Sequence, residues 1–186
     1  ISAQWLATRQ VVLAEERRHR LAWDLESRLD VRQFRSGQSN PTYLLTVVVR
    51  GAKVSKFPND DDDDGGDGGG DRRRRLVRRR KPDRVVHRSA HALDREYFVL
   101  TRLRARGSVP VLEPYAYCND ASVLGSEFYL MEYVYGRIFV NPSLPGASSL
   151  REHRAIYADA IQTLVHIHSV DVTTGFESYG KKGNEV

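Results

Sequence analysis

Apolar positions recur along this chain in two rhythms. From Gln4 to Leu29 a charged segment carries Trp5, Leu6, Val12, Leu13, Leu21, Leu25 and Leu29, and the later spacing of four predicts a helix. The rhythm then changes. Val31 to Phe34 and Thr42 to Val49 are rich in Val, Thr, Tyr and Leu and read as strands. Arg35 to Pro41, dense with turn formers, joins them into a β-hairpin. Leu76 to Arg80 is a short further strand, closed by Pro82. A helix follows with the stripe Leu93, Tyr97, Leu100 and Leu103, with Ser89 as its expected cap and Gly107 after its last turn. Val111 to Cys118 and Glu127 to Val134 predict a second pair of strands across the turn Asn119 to Ser122, and Gly136 marks the exit. A last helix opens on the capping box Ser149-Leu150-Arg151-Glu152 and carries Ile156, Tyr157, Ala160, Ile161, Leu164 and Ile167 as one stripe.

This order fits an α+β fold: a five-stranded antiparallel sheet with one helix inserted after the third strand, then a linker and a helix. The 186 residues suffice for one domain, or for one small lobe and the start of a second. The chain opens on Ile1 and stops at Gly183-Asn184-Glu185-Val186, so both ends read as cuts through a longer protein. No signal pattern is present, and no apolar run reaches the ~18 residues that span a bilayer. The single cysteine, Cys118, excludes an internal disulfide or a thiolate zinc cluster and reads as a small core hydrophobe.

Charge changes the picture at one place. Asn59 to Arg75 holds seven Asp and four Arg among glycines, with no apolar residue. Such a tract cannot bury enough surface to offset its chain entropy, so 59–75 is expected to be a disordered insertion between two strands. With a formal charge of +5, a nucleic-acid surface built around Arg72 to Arg88 is the alternative. The absence of interleaved aromatic residues makes that reading the weaker one.

The most informative residue is Glu96. It stands three after Leu93 and four before Leu100, which puts a carboxylate within or beside the helix's buried stripe. A buried acid calls for a cation, and Arg78, Arg79, Arg80 and Lys81 on the preceding strand offer several. A strand cation paired with a helix glutamate is the arrangement by which protein kinases hold nucleotide phosphates. A rim salt bridge is the alternative.

Four blocks in series then resemble one family. They are Gln33 to Tyr43, Ala90 to Tyr97, Phe128 to Phe139, and Pro142-Ser143-Leu144-Pro145-Gly146. Together they are similar to the aminoglycoside-phosphotransferase-type, protein-kinase-like domain fused to acyl-CoA dehydrogenase family members ten and eleven. The resemblance implies a kinase-like N-lobe over 31–134, following a helical segment at 1–30, with the hinge exit and first helix of a truncated C-lobe over 135–186. It implies that Ser36, Gly37, Gln38, Ser39 and Asn40 form the loop over ATP phosphates, where free backbone N–H groups make an anion nest. Arg79 falls where the family carries its phosphate-facing cation, although the extra arginine in Leu76 to Pro82 leaves the register open. Glu96 matches the paired helix glutamate, and Glu132, Tyr133 and Val134 match the adenine-binding hinge.

The chain also departs from that family. Its catalytic loop, His-Gly-Asp followed four residues later by Asn, is absent, and so is the Asp-Trp-Glu-like element that holds magnesium. Asp159, Asp171, His166 and His168 do not stand in that context. The resemblance therefore implies the ATP-binding portion of a phosphotransferase acting on an alcohol, a hydroxyacyl-CoA hydroxyl in the dehydrogenase-fused type. Magnesium would be held only in the complete domain. A missing C-lobe and a fused dehydrogenase domain are the implied partners, in a mitochondrion or peroxisome for the fused type. This chain alone is expected to lack turnover. A non-catalytic kinase-like scaffold is the remaining alternative.

Overall fold

The computed structural model describes residues 28–35, 40–49, 72–82 and 92–177. The expected helix of Gln4 to Leu29 lies almost wholly outside them, and where it enters them it is wrong: Arg28 and Leu29 already belong to a strand. Five strands form one sheet: β1 (Arg28–Gln33), β2 (Thr42–Val49), β3 (Arg72–Arg80), β4 (Pro114–Cys118) and β5 (Phe128–Glu132). Their order is β1-β2-β3-β5-β4, and every neighbouring pair is antiparallel.

Three helices complete the described fold: α1 (Leu93–Arg106), α2 (Ala121–Leu124) and α3 (Leu150–His168). Helix α1 starts at Leu93, with Glu96 N–H donating to Ala92 C=O, so the cap position is Ala92 and not Ser89, which lies outside the described residues. Gly107 ends α1 at φ +67°, where its N–H reaches the carbonyls of Leu103 and Arg104. Only glycine takes that conformation without strain. The expected turn at Asn119 to Ser122 is instead the start of α2. Asp120 caps it by accepting from Ser122 N–H, and Gly125 closes it at φ +80°.

The expectation of disorder fails for Arg72 to Arg75. These arginines pair with Val49 to Thr46 of β2, which makes β3 nine residues long and central. Arginine stems are apolar enough to lie along a sheet, and pairing satisfies the backbone on both sides.

The chain divides into two compact units, Ile1–Phe98 with Leu112–Val134, and Val99–Val111 with Tyr135–Val186. The first holds the sheet. Alternation sends Leu45, Leu76, Leu130, Phe128 and Ala116 to one face, where they form the core. Leu29, Tyr115, Cys118 and the α2 residues Val123 and Leu124 pack against it, as expected for Cys118. The opposite face meets the start of α1, whose Leu93 is fully buried.

In the second unit, α3 is capped by Ser149, which accepts from Glu152 N–H at 3.2 Å. The Glu152 carboxylate reaches back to Ser148 rather than to the cap residue, and also pairs with Arg137. The hydrogen bonds to Ser148 are the main cause holding the Glu152 carboxyl down at about 2. The expected apolar stripe of α3 is present, but none of its residues is buried, and Tyr157, Ile161, Leu164 and Ile167 are exposed.

Candidate functional site

Register decides which arginine can meet the helix glutamate. Arg79 stands opposite Thr42 on β2 and Tyr129 on β5, on the sheet face that receives α1. Its Nε lies 3.2 Å from Glu96 Oε2, an ion pair without hydrogen-bond geometry at Nε. The other carboxylate oxygen, Oε1, accepts from the Tyr129 hydroxyl at 2.9 Å. Each oxygen of Glu96 thus has its own partner, one from β3 and one from β5. Tyr129 is 1% exposed. Burial first, and then the charge of Glu96 and its hydrogen bond, push the Tyr129 phenol well above its usual range, so it remains a donor.

An aromatic layer backs this pair. The Tyr97 ring, next to Glu96 on α1, stacks on Tyr117 at 5.4 Å and tilts against Tyr129 at 5.8 Å. Tyr117 donates to Glu127 Oε1 at 2.5 Å, and Lys81 Nζ lies 3.0 Å from Glu127 Oε2. Burial, followed by that hydrogen bond, also raises the Tyr117 phenol.

Arg78 takes the opposite face. It is 9% exposed, stacks over the Tyr43 ring at 4.6 Å, and its Nε lacks a hydrogen-bond partner among the described residues. Burial lowers its pKa from the usual guanidinium value. Arg80, one residue beyond Arg79, shares that other face and donates from Nε to Lys81 C=O. The ambiguity among three consecutive arginines is therefore resolved by alternation: Arg79 alone of the three pairs with Glu96.

Next to the ion pair lies a row of apolar side chains. Leu44 stands opposite Val77, and Val77 opposite Met131, across three strands on the face that carries Arg79. The row is two residues from Arg79 along β3, about 7 Å. Val77 and Met131 are buried and Leu44 is half-buried, so the row is an apolar stretch of the sheet beside a held cation.

The remaining expected residues divide. Ser36, Gly37, Gln38 and Ser39 lie outside the described residues. Asn40, at the loop's end, is buried, and its carbonyl accepts from Thr42 Oγ1 at 3.0 Å. Glu132 is tied into the backbone of Glu113: its Oε2 accepts from Glu113 N–H at 2.9 Å, and its N–H donates to Glu113 C=O at 2.8 Å. That side chain closes the β4 end of the sheet and its N–H is not free for a ligand. Val134 is exposed, and its backbone makes no hydrogen bond among the described residues. Asp171 is committed to an Asx turn, accepting from Thr173 N–H and hydroxyl. Among the described residues no group of three or more His, Cys, Asp or Glu side chains is placed to hold a metal ion.

Tyr129 was not among the residues singled out from sequence. It sits in a run of four buried strand residues, Phe128 to Met131, where nothing distinguishes a functional hydroxyl from a core aromatic. Its only signal is chemical: a buried Tyr needs a partner for its hydroxyl.

Comparison with known proteins gives the family of the chain. The sequence profile of the phosphotransferase enzyme family (APH) matches residues 30–186. The chain is 39% identical over 159 residues to the acyl-CoA dehydrogenase IBR3 of Arabidopsis thaliana, covering 85% of this chain and 17% of that protein. It is likewise 39% identical over 158 residues to acyl-CoA dehydrogenase family member 11 of Mus musculus, covering 84% of this chain and 17% of the relative. Among solved structures, an aminoglycoside phosphotransferase candidate from Ralstonia eutropha superimposes with a TM-score of 0.61 at 34% identity, covering 94% of this chain and 42% of the other. The chain therefore spans less than half of each of these relatives. A kinase-like sheet, an arginine and a glutamate paired across strand and helix, and the profile match over most of the length lead to one conclusion: this chain belongs to the phosphotransferase enzyme family.

Proposed function

We propose that the sheet unit is the ATP-binding part of a small-molecule kinase. The observation that carries this is the Arg79–Glu96 pair, 3.2 Å apart, beside the apolar row Leu44, Val77 and Met131. Arg79 would meet the phosphates, with Glu96 holding the guanidinium in place so that little side-chain entropy is lost when the anion arrives. The apolar row would receive the adenine, and the backbone at Val134, which makes no hydrogen bond among the described residues, would hydrogen-bond its edge. Ser36 to Asn40 would close over the phosphates. Magnesium neutralises phosphate charge in this chemistry, and its ligands would come from outside the described residues.

The acceptor is an alcohol in this reading, and a hydroxyacyl-CoA hydroxyl is the acceptor we propose, since the relatives are named acyl-CoA dehydrogenases. Helix α3 supports a further part of the proposal. Its exposed Tyr157, Ile161, Leu164 and Val165 form a face suited to the remainder of a phosphotransferase domain, which the longer solved relative contains. The chain as given lacks the family's His-Gly-Asp loop, so it would bind nucleotide without transferring phosphate. Three of the β3 arginines, Arg79, Arg78 and Arg75, are engaged with Glu96, Tyr43 and Tyr133, which favours a role within the sheet over a nucleic-acid surface.

Isothermal titration of ATP into the chain and its Arg79→Met variant tests the proposal. The expected result is roughly tenfold to hundredfold weaker binding on loss of a charge-assisted contact. Equal affinity for both proteins would contradict it.

A further inference from the structure

Resting on the nucleotide-site reading above, we propose that Tyr129 is a positioning residue that locks Glu96, and with it α1, in the Arg79-paired arrangement whether or not nucleotide is bound. A glutamate has three rotatable bonds, and the Arg79–Glu96 pair is about one-third exposed on each side. An ion pair of that exposure does not by itself hold a carboxylate in one orientation. The Tyr129 hydroxyl supplies what is missing. It engages Oε1 at 2.9 Å, leaving Oε2 to Arg79, so the carboxylate cannot rotate without breaking one contact.

The phenol is itself fixed. Tyr129 is fully enclosed in β5, directly across from Arg79 in the ladder. The Tyr97 ring, from the same helix as Glu96, lies against it. Helix α1 is therefore fastened to β5 at two successive residues, Glu96 by hydrogen bond and Tyr97 by ring contact. In protein kinases the equivalent strand–helix pair must assemble, and its assembly is a point of control. Here the pair is assembled and clamped by a third element, so α1 is a fixed part of the site and not a switch.

Tyr129→Phe removes one oxygen and keeps the ring that packs on Tyr97. In the full chain, two readouts are taken: ATP affinity by calorimetry, and hydrogen exchange of the Leu93 to Leu100 amides without nucleotide. We expect Tyr129→Phe to bind ATP roughly tenfold more weakly, as for loss of one hydrogen bond to a charged group. We also expect faster exchange over those amides, with Leu130 and its β5 neighbours unchanged. In a cycle with Glu96→Gln the two effects should be markedly non-additive. Unchanged exchange in α1 overturns the clamp, whatever the affinity does. If the parent chain binds no ATP, the nucleotide reading fails, while the exchange comparison still decides whether Tyr129 holds α1.

Discussion

The sheet unit and helix α3 contain equally regular apolar patterns but use them differently. In the sheet, Leu45, Phe128 and Leu130 are each 1% exposed, and both faces have residues packed against them. In α3, Ile161 is 62% exposed and Leu164 50%, and none of the helix's residues is buried. Periodicity says which residues share a face. It does not say that the chain in hand supplies the surface covering it. The residues proposed to handle nucleotide lie in the sheet unit, while the helix with the bare face carries none of them.

The comparison can be broken most forcefully by trimming one leucine from each region. Leu130→Ala should cost about 2–5 kcal/mol in urea denaturation, as for a fully enclosed core position. Leu164→Ala should cost less than about 0.5 kcal/mol in the same experiment. A large loss at Leu164 would show that the face is covered. The bare face should also drive self-association. Charging it with Ile161→Glu and Leu164→Glu is expected to shift sedimentation toward a single monomeric species, and an unchanged profile would count against an exposed apolar surface.

Smaller effects sharpen the contrast within each unit. The folded Glu152 carboxyl is held at about 2, below the ordinary carboxylate value. A depressed folded value means that its stabilising contribution is present above the unfolded carboxylate pKa of about 4.3 and is lost as pH falls toward about 2. Acid titration followed by helix signal should show the start of α3 loosening in that window, and Glu152→Gln should remove the dependence. A small effect of either sign is expected at Arg78. Its guanidinium is desolvated and its Nε has no hydrogen-bond partner among the described residues, so Arg78→Leu should change stability by less than about 1 kcal/mol in either direction. A large loss would reveal a partner for Arg78 that the described residues do not contain.

Much of this was readable from the chain. The β2 strand appears over the expected residues, and the helix inserted after the third strand brings Glu96 to Arg79. What sequence could not supply was register. Three consecutive arginines on one strand alternate between faces, and only pairing with Thr42 and Tyr129 identifies the one facing α1. Composition misled at Arg72 to Arg75, because the Asp and Gly run beside them hid four residues that β2 recruits into the ladder. Tyr129 was illegible for the opposite reason: it sits inside an uninterrupted buried run, and burial pattern carries no information about where a hydroxyl points. At Asn119 to Ser122 the signals for a short helix, Asp120 and Gly125, were present but indistinguishable from those of a turn.

We propose that the sheet unit, through Arg79 and its neighbours, receives a nucleotide. Hydrogen exchange of the chain with and without ATP tests this most directly. Slower exchange is predicted over Thr42 to Thr46, Leu76 to Arg80 and Phe128 to Val134, with α3 from Tyr157 to Ile167 unaffected. ATP-dependent protection confined to α3, or none in the sheet at saturating ATP, would contradict the account.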